Sequence, residues 1–248
     1  MLDGLREGGF VDGESIVIQR YNAENDMPTL NAIAKEVTNG QFDLVLTAST
    51  PALQAVANAN KVGKTVHVFG IVADPFSAGV GISRDNPLDH PQHLVGFGIF
   101  VAVEDVFRLA KELFPDLQSV GEVWNPAEAN SEACTIRARA IAQELGIELV
   151  EANAENSAGV REATSSLIAR GVQALWVGCD STVQVAVDSI IRLAREAHIP
   201  VFSTFPGNAE QGALFGLGAN FHEVGKLSGK LAAKVLHGTD PATVAVEA

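Results

Sequence analysis

The chain has little cysteine, little tryptophan or tyrosine, and few basic side chains. Of 248 residues, two are Cys, two Trp and one Tyr, and 17 Lys and Arg stand against 30 Asp and Glu. Each shortage excludes something. Cys134 and Cys179 are too few for a disulfide scaffold and lack metal-ligand spacing; each reads as a buried thiol or as half of a single bridge. A net charge of −13 leaves no cluster of Lys and Arg for phosphates, which excludes nucleic acid as a partner. No apolar run approaches the roughly 18–20 residues that span a bilayer. The opening MLDGLREGGF has neither the charged n-region nor the apolar h-region of a signal peptide. There is no G-x-S-x-G elbow, Walker A loop or HExxH, and Gly79-Val80-Gly81 lacks the rest of a dinucleotide fingerprint, so neither catalytic residues nor a cofactor are expected. What is present is an apolar content of 47% with 19% charged residues, enough for the core of one large domain or of two smaller ones.

Short β-branched runs alternate with longer helical patterns. Strands are expected at 15–21, 43–47, 65–71, 94–98, 119–124, 147–152, 174–178, 200–203 and 214–217. Most are continuous apolar stretches such as LVLT and ALWVG, the pattern of parallel strands covered on both faces. Helices are expected at 27–39, 51–60, 103–114, 129–145, 159–170, 182–197 and 221–237, several opening with Ser, Thr, Asn or Asp. The alternation predicts an α/β protein of two doubly wound parallel-sheet lobes. The segment 78–92 (AGVGISRDNPLDHPQ) interrupts the rhythm as an irregular loop. The first lobe is expected to span 1–98 with a returning helix at about 219–240, the second 99–218, and 241–248 forms a tail. Residues 2–8 read as the end of a helix, closed by Gly8-Gly9. No strand feeds that helix, so an opening strand and any targeting segment are expected upstream.

In open parallel sheets, ligands bind outside the carboxyl ends of the strands. The residues following five strands here are Ser49-Thr50, Asp74, Asn125 with Asn130-Ser131, Asp180-Ser181-Thr182, and Phe205. Helix N-termini with short hydroxyls and amides accept a carboxylate, and Asp74 or Asp180 can accept an ammonium group, which suits a zwitterion. Each of these residues is also an ordinary N-cap or turn former; their recurrence at five strand ends favours a cleft. Trp124 follows an apolar strand and reads as core. His90 and His93 have chelating spacing but no third ligand, so no metal site is expected.

Several blocks, in this order, carry a family resemblance: GLREGGFVDGESIVIQRYNAEND, FDLVLTASTPALQAVANA, VFGIVADPFSAGV, HLVGFG, LFPDLQSVGEVWNPAEANS, ALWVGCDSTVQVAV, IPVFSTF and GALFGLGANFHEVGKLSGKLAAKVLHGTDP. Together they cover almost the whole chain. The sequence resembles the extracytoplasmic substrate-binding proteins of ABC importers, in particular the family that includes tryptophan- and tyrosine-binding lipoproteins. That resemblance implies a type I periplasmic-binding-protein fold whose two lobes close on a small ligand, often an aromatic amino acid. It also implies a membrane permease as partner and a periplasmic or lipid-anchored location, and a monomer is expected. Carried over, Ser49, Thr50, Asp74, Asn125, Asn130, Ser131, Asp180, Ser181 and Thr182 occupy motif positions. Chemistry then assigns Thr50, Ser131 and Thr182 to a ligand carboxylate and Asp180 to its ammonium group, with Asn125 and Asn130 bridging. The chain departs from the family in SRDNPLDHPQHLVG, in Gly96-Phe97-Gly98 without its threonine, and in Phe221-His222 in place of a tyrosine pair.

Two other readings compete with the importer. A sensory input domain would use the same cleft. A cofactor-independent amino-acid racemase would need one thiol from each lobe, but Cys179 and Cys134 fall in the same one.

Overall fold

The computed structural model describes residues 1–99 and 101–247. In chain order its elements begin with α1 (Leu2–Glu7), α2 (Met27–Val37), β1 (Leu44–Ala48), α3 (Thr50–Ala59), β2 (Val66–Val72) and β3 (Leu94–Gly98). There follow α4 (Val103–Leu113), β4 (Ser119–Trp124), α5 (Ala129–Glu144), β5 (Glu148–Asn153), α6 (Val160–Ala169) and β6 (Ala174–Val177). The last elements are α7 (Ser181–Val185), α8 (Val187–Glu196), β7 (Val201–Ser203), α9 (Asn208–Gln211), β8 (Phe215–Gly216), α10 (Phe221–Leu236) and a 3-10 turn at Pro241–Thr243. They form two compact units: residues 1–99 with 220–247, and residues 101–219.

Unit 1 is a parallel sheet in the order β1-β2-β3. Alternation along β2 sends Phe69 to one face, where it packs with Leu53 of α3, Leu94 and Val246, and Val68 to the other, where it meets Leu5 of α1 and Leu231 of α10. Both faces are therefore dry, which is why the strand reads as an unbroken apolar run. Unit 2 is a parallel sheet in the order β5-β4-β6-β7-β8. On one face, Val123, Leu175 and Val177 join Leu167 of α6 and Val187, Ile190 and Ile191 of α8. Elsewhere, Phe107 of α4 meets Trp176 and Phe202 edge-on, with ring centroids 5.1 and 5.7 Å away.

Three expectations need correction. Residues 15–21 form no strand: Ile16 makes a single bridge to Asp12, and Val17 is 86% exposed. The segment folds back on Asp12, whose carboxylate accepts the Ile18 N–H at 2.9 Å and pairs with Arg20, so its alternation meets no neighbouring sheet edge. The expected helix 182–197 is broken at Ala186 (φ −106°, ψ 13°) into α7 and α8. The β-branched cluster Thr182, Val183, Val185 and Val187 lowers helix propensity at that point. Residues 241–247 are no tail. Val246 is buried, and the Gly98 N–H donates to the Glu247 carbonyl at 2.6 Å, which extends the edge of β3.

Glycine permits one close approach in unit 1. A Cβ at Gly4 would lie 2.0 Å from the Lys226 carbonyl oxygen, and one at Gly229 would lie 2.0 Å from that of Met1. The backbones of α1 and α10 thus touch directly, with Lys226 and Lys230 closing on Glu7 beside them. Gly4→Ala should lower the unfolding free energy by about 1–3 kcal/mol in urea titrations, because the added carbon meets backbone that cannot rotate away. Gly159→Ala, where the nearest atom is 3.6 Å from the added carbon, should stay within about 0.5 kcal/mol of the parent.

Candidate functional site

The carboxyl ends of β4 and β6 are neighbours because the two strands pair in parallel. Asn125 follows β4 directly, and Asp180 lies in the turn between β6 and α7. Asp180 caps α7, its Oδ1 accepting the Val183 N–H at 2.7 Å. Its Oδ2 accepts the Asn125 N–H and the Ser131 hydroxyl, both at 2.6 Å. The Asn130 amide donates to the Cys179 carbonyl at 2.6 Å, and the Asn125 amide donates to the Thr182 hydroxyl at 3.1 Å. Asn125, Asn130, Ser131, Asp180 and Thr182 are each at most 9% exposed. Unit 2 thus brings six of the expected residues into one hydrogen-bonded cluster, Ser181 included. Phe205 is only partly buried and packs against the apolar cluster of the unit, its N–H donating to the Ser203 hydroxyl.

The group that joins this cluster unexpectedly is Glu128. Its Oε1 accepts the N–H of Thr182 at 2.9 Å and the Thr182 hydroxyl at 2.5 Å. Its Oε2 accepts the N–H of Ser181 at 2.9 Å and the Asn130 amide at 3.1 Å. The donors at the start of α7 are therefore engaged by a carboxylate of the chain itself. A signal existed in NPAEANS, where Glu128 lies between two expected site residues, but nothing local reveals that its partners are some fifty residues away.

Two carboxyl groups here are held away from their ordinary titration range. Burial, then the negative charge of Glu128, pushes Asp180 up to about 6. Burial pushes Glu122 of β4 up to about 8, against the opposing contact of the Thr135 hydroxyl at 2.8 Å from its Oε1. The other Glu122 oxygen is buried without a partner, as are Asn130 Oδ1 and Trp124 Nε1. Trp124 is 9% exposed, a core position, with the Arg139 guanidinium 5.3 Å from its ring centre. Cys134 and Cys179 are joined in a disulfide within this unit, so the thiol pair that a racemase would need is consumed.

In unit 1, Ser49 caps α3 by accepting the Ala52 N–H at 3.4 Å, and the Thr50 hydroxyl accepts the Ala73 N–H at 3.4 Å, tying α3 to the end of β2. Asp74 accepts the N–H groups of Phe76 and Ser77 through one oxygen and pairs with Arg84 at 2.5 Å through the other. Arg84 is the second residue that the sequence reading passed over, although it is the single Lys or Arg of the loop 78–92. Ser49 and Ile71 have φ of 97° and 56°. Such values cost a non-glycine residue of order 1–3 kcal/mol, and strain of this kind gathers at ligand-binding positions. A cavity of about 510 Å³ opens near the amino end of β3, lined by Gln54, Lys61 and His93 among others, and none of the expected site residues lines it. The ring nitrogens of His90 lie 3.1 and 2.9 Å from the carbonyls of Pro91 and Val244, which accounts for that histidine structurally.

Two parallel α/β units with polar side chains gathered at their strand ends define the periplasmic-binding-protein class. The family model for ABC transporter substrate binding proteins matches residues 1–248, and the chain belongs to that family. A tyrosine-binding protein of Clostridioides difficile is 30% identical over 237 residues, 96% of this chain and 67% of the relative. A conserved domain protein from Vibrio cholerae superposes with a TM-score of 0.91 at 29% identity, over 99% of this chain and 81% of that one. A Streptococcus pneumoniae ABC domain in complex with L-Trp has the same fold, with a TM-score of 0.91 at 22% identity and the same coverages. The function of this chain is thus that of an ABC importer's substrate-binding protein. The family is extracytoplasmic, and among the described residues no helix is long and apolar enough to cross a membrane.

The buried Glu122 sets a pH dependence. The folded chain holds this proton more tightly than the unfolded chain, whose carboxyl titrates near 4.5. Its stabilising contribution is therefore complete below pH 4.5 and is lost as pH rises through about 8. Glu122→Gln, which stays neutral, should lose less stability than the parent between pH 5 and pH 9 in chemical denaturation.

Proposed function

We propose that this protein is the soluble, non-catalytic binding component of an ABC importer for an aromatic amino acid, delivering it to a membrane permease as a monomer. The observation that carries this reading is the buried polar cluster around Asp180 at the carboxyl ends of β4 and β6. The similarity to a tyrosine-binding protein over 96% of the chain supports the ligand class. Asp180 and Glu128 supply the negative pole that meets the ligand's ammonium group, with Asn125, Asn130 and Ser181 orienting it. Ser131 and Thr182 already donate to carboxylates of the chain, so the carboxylate role falls mainly on Ser49 and Thr50. Their hydroxyls each accept a backbone N–H and can still donate a hydrogen bond. Asp74 acts through Arg84, and Phe205 offers an aromatic surface. The Cys134–Cys179 disulfide supports an oxidising compartment, either the periplasm or the outer face of the cell membrane with a lipid anchor.

Calorimetric titration with the standard amino acids tests the reading. Tyrosine or tryptophan should bind, and at 100 times its Kd should stabilise the protein by roughly 2.7 kcal/mol. N-acetylation of that amino acid, or Asp180→Ala in a variant with parental circular dichroism, should weaken binding by at least ~10-fold. The amino acid should be recovered unaltered and with its chirality intact. Absence of binding by every amino acid would remove the ligand, and racemised product would remove the non-catalytic assignment.

A further inference from the structure

We propose that the Cys134–Cys179 disulfide is a positioning device for the ligand-contacting cluster of unit 2, rather than a general staple of its fold. The inference rests on the reading of the Asp180 cluster as part of the ligand site.

The bond joins the second turn of α5 to the residue immediately before Asp180, with the two Cα atoms 6.1 Å apart. It runs alongside two hydrogen bonds between the same segments. These are the Asn130 amide to the Cys179 carbonyl and the Ser131 hydroxyl to Asp180, each 2.6 Å. Asn130 and Cys134 are four residues apart and so share one face of α5, directed at the turn after β6. Three successive links along one helix face therefore fix the start of α5 against the turn that carries Asp180, Ser181 and Thr182.

Its place in the unit separates this role from ordinary stapling. Both cysteines are buried, at 3% and 7% exposure, but neither belongs to the apolar cluster formed by β4, β6, α6 and α8. Its chain neighbours belong to the polar network instead: Thr135 follows Cys134 and bonds Glu122, and Asp180 follows Cys179 and bonds Ser131. That network is not fully satisfied, because Asn130 Oδ1 and a Glu122 oxygen have no partner although buried. A polar cluster with members left unsatisfied is less firmly specified than a fully satisfied one. A covalent link removes relative sliding of the two segments, so the ordering cost is met before the ligand arrives.

The test compares the parent with Cys134→Ala/Cys179→Ala and with protein reduced under mild denaturant and refolded with thiols alkylated. L-Tyrosine and L-tryptophan serve as probes, 20 °C or more below each melting temperature. The expected result is a Kd raised by ~10-fold, with exchange of the Ser181, Thr182 and Val183 amides accelerated by a similar factor and that of Val120 and Val123 unchanged. A lowered melting temperature with parental Kd and parental exchange at residues 181–183 would overturn the proposal and leave the bond a staple. If the parent binds neither probe, the ligand reading fails separately. The amide exchange alone then decides: selective acceleration at 181–183 upholds the positioning role, and uniform or absent acceleration overturns it.

Discussion

Unit 2 is organised around one carboxylate. Asp180 ends the turn after β6, starts α7 and receives the backbone of Asn125 and the side chain of Ser131. Two regions some fifty residues apart in sequence are held to one another at that point. The arrangement works because the parallel pairing of β4 with β6 has already delivered both strand ends to the same edge. Hydrogen bonds to a charged acceptor are about twice as strong as neutral ones, so a few such contacts can define the geometry of loops that bury little apolar surface. Burial and the neighbouring Glu128 oppose the charge on Asp180, and the donors around it offset them only in part.

The concentration of acids in this region carries a cost in stability. Glu122 lies fully within the sheet with one oxygen unsatisfied, where an apolar side chain would be the more stable choice. Sites of function are where local rules of folding are broken and the remainder of the fold compensates. Unit 1 has the same character by other means, with Ser49 and Ile71 held at left-handed backbone angles at adjacent strand ends. In unit 1 these unfavourable features lie toward the carboxyl edge of the sheet, whereas in unit 2 Glu122 sits within β4, two residues short of its end.

Much of this was legible in the residues themselves. ALWVG falls on the fully buried parallel strand β6 and LVLT on β1, a half-buried strand at the edge of its sheet, and the hydroxyl, amide and carboxylate residues after them do sit at strand ends. Short-range chemistry explains that success, since N-capping and continuous burial leave marks within a few positions. What was not legible depended on distant partners. Residues 15–21 alternate as a strand does, yet nothing local states whether a sheet edge lies beside them. The break at Ala186 lies in a β-branched stretch that also carries a helical apolar stripe, and the two signals conflict. Glu128 and Arg84 carry no local mark of a role, which emerges only when the fold sets them against the Thr182 hydroxyl and Asp74.

The contact between α1 and α10 has a consequence for how the chain is made. Residues 101–219 are continuous, whereas unit 1 needs its last helix and Glu247 to complete both a sheet face and a sheet edge. On a ribosome the earlier part of unit 1 emerges first and must wait for all of unit 2 to be synthesised, on the order of ten seconds at ordinary elongation rates. Throughout that interval the Val68 face of β2 lacks Leu231 and Ala232 to cover it. Demand for a chaperone therefore falls on residues 1–99, although they are made before unit 2.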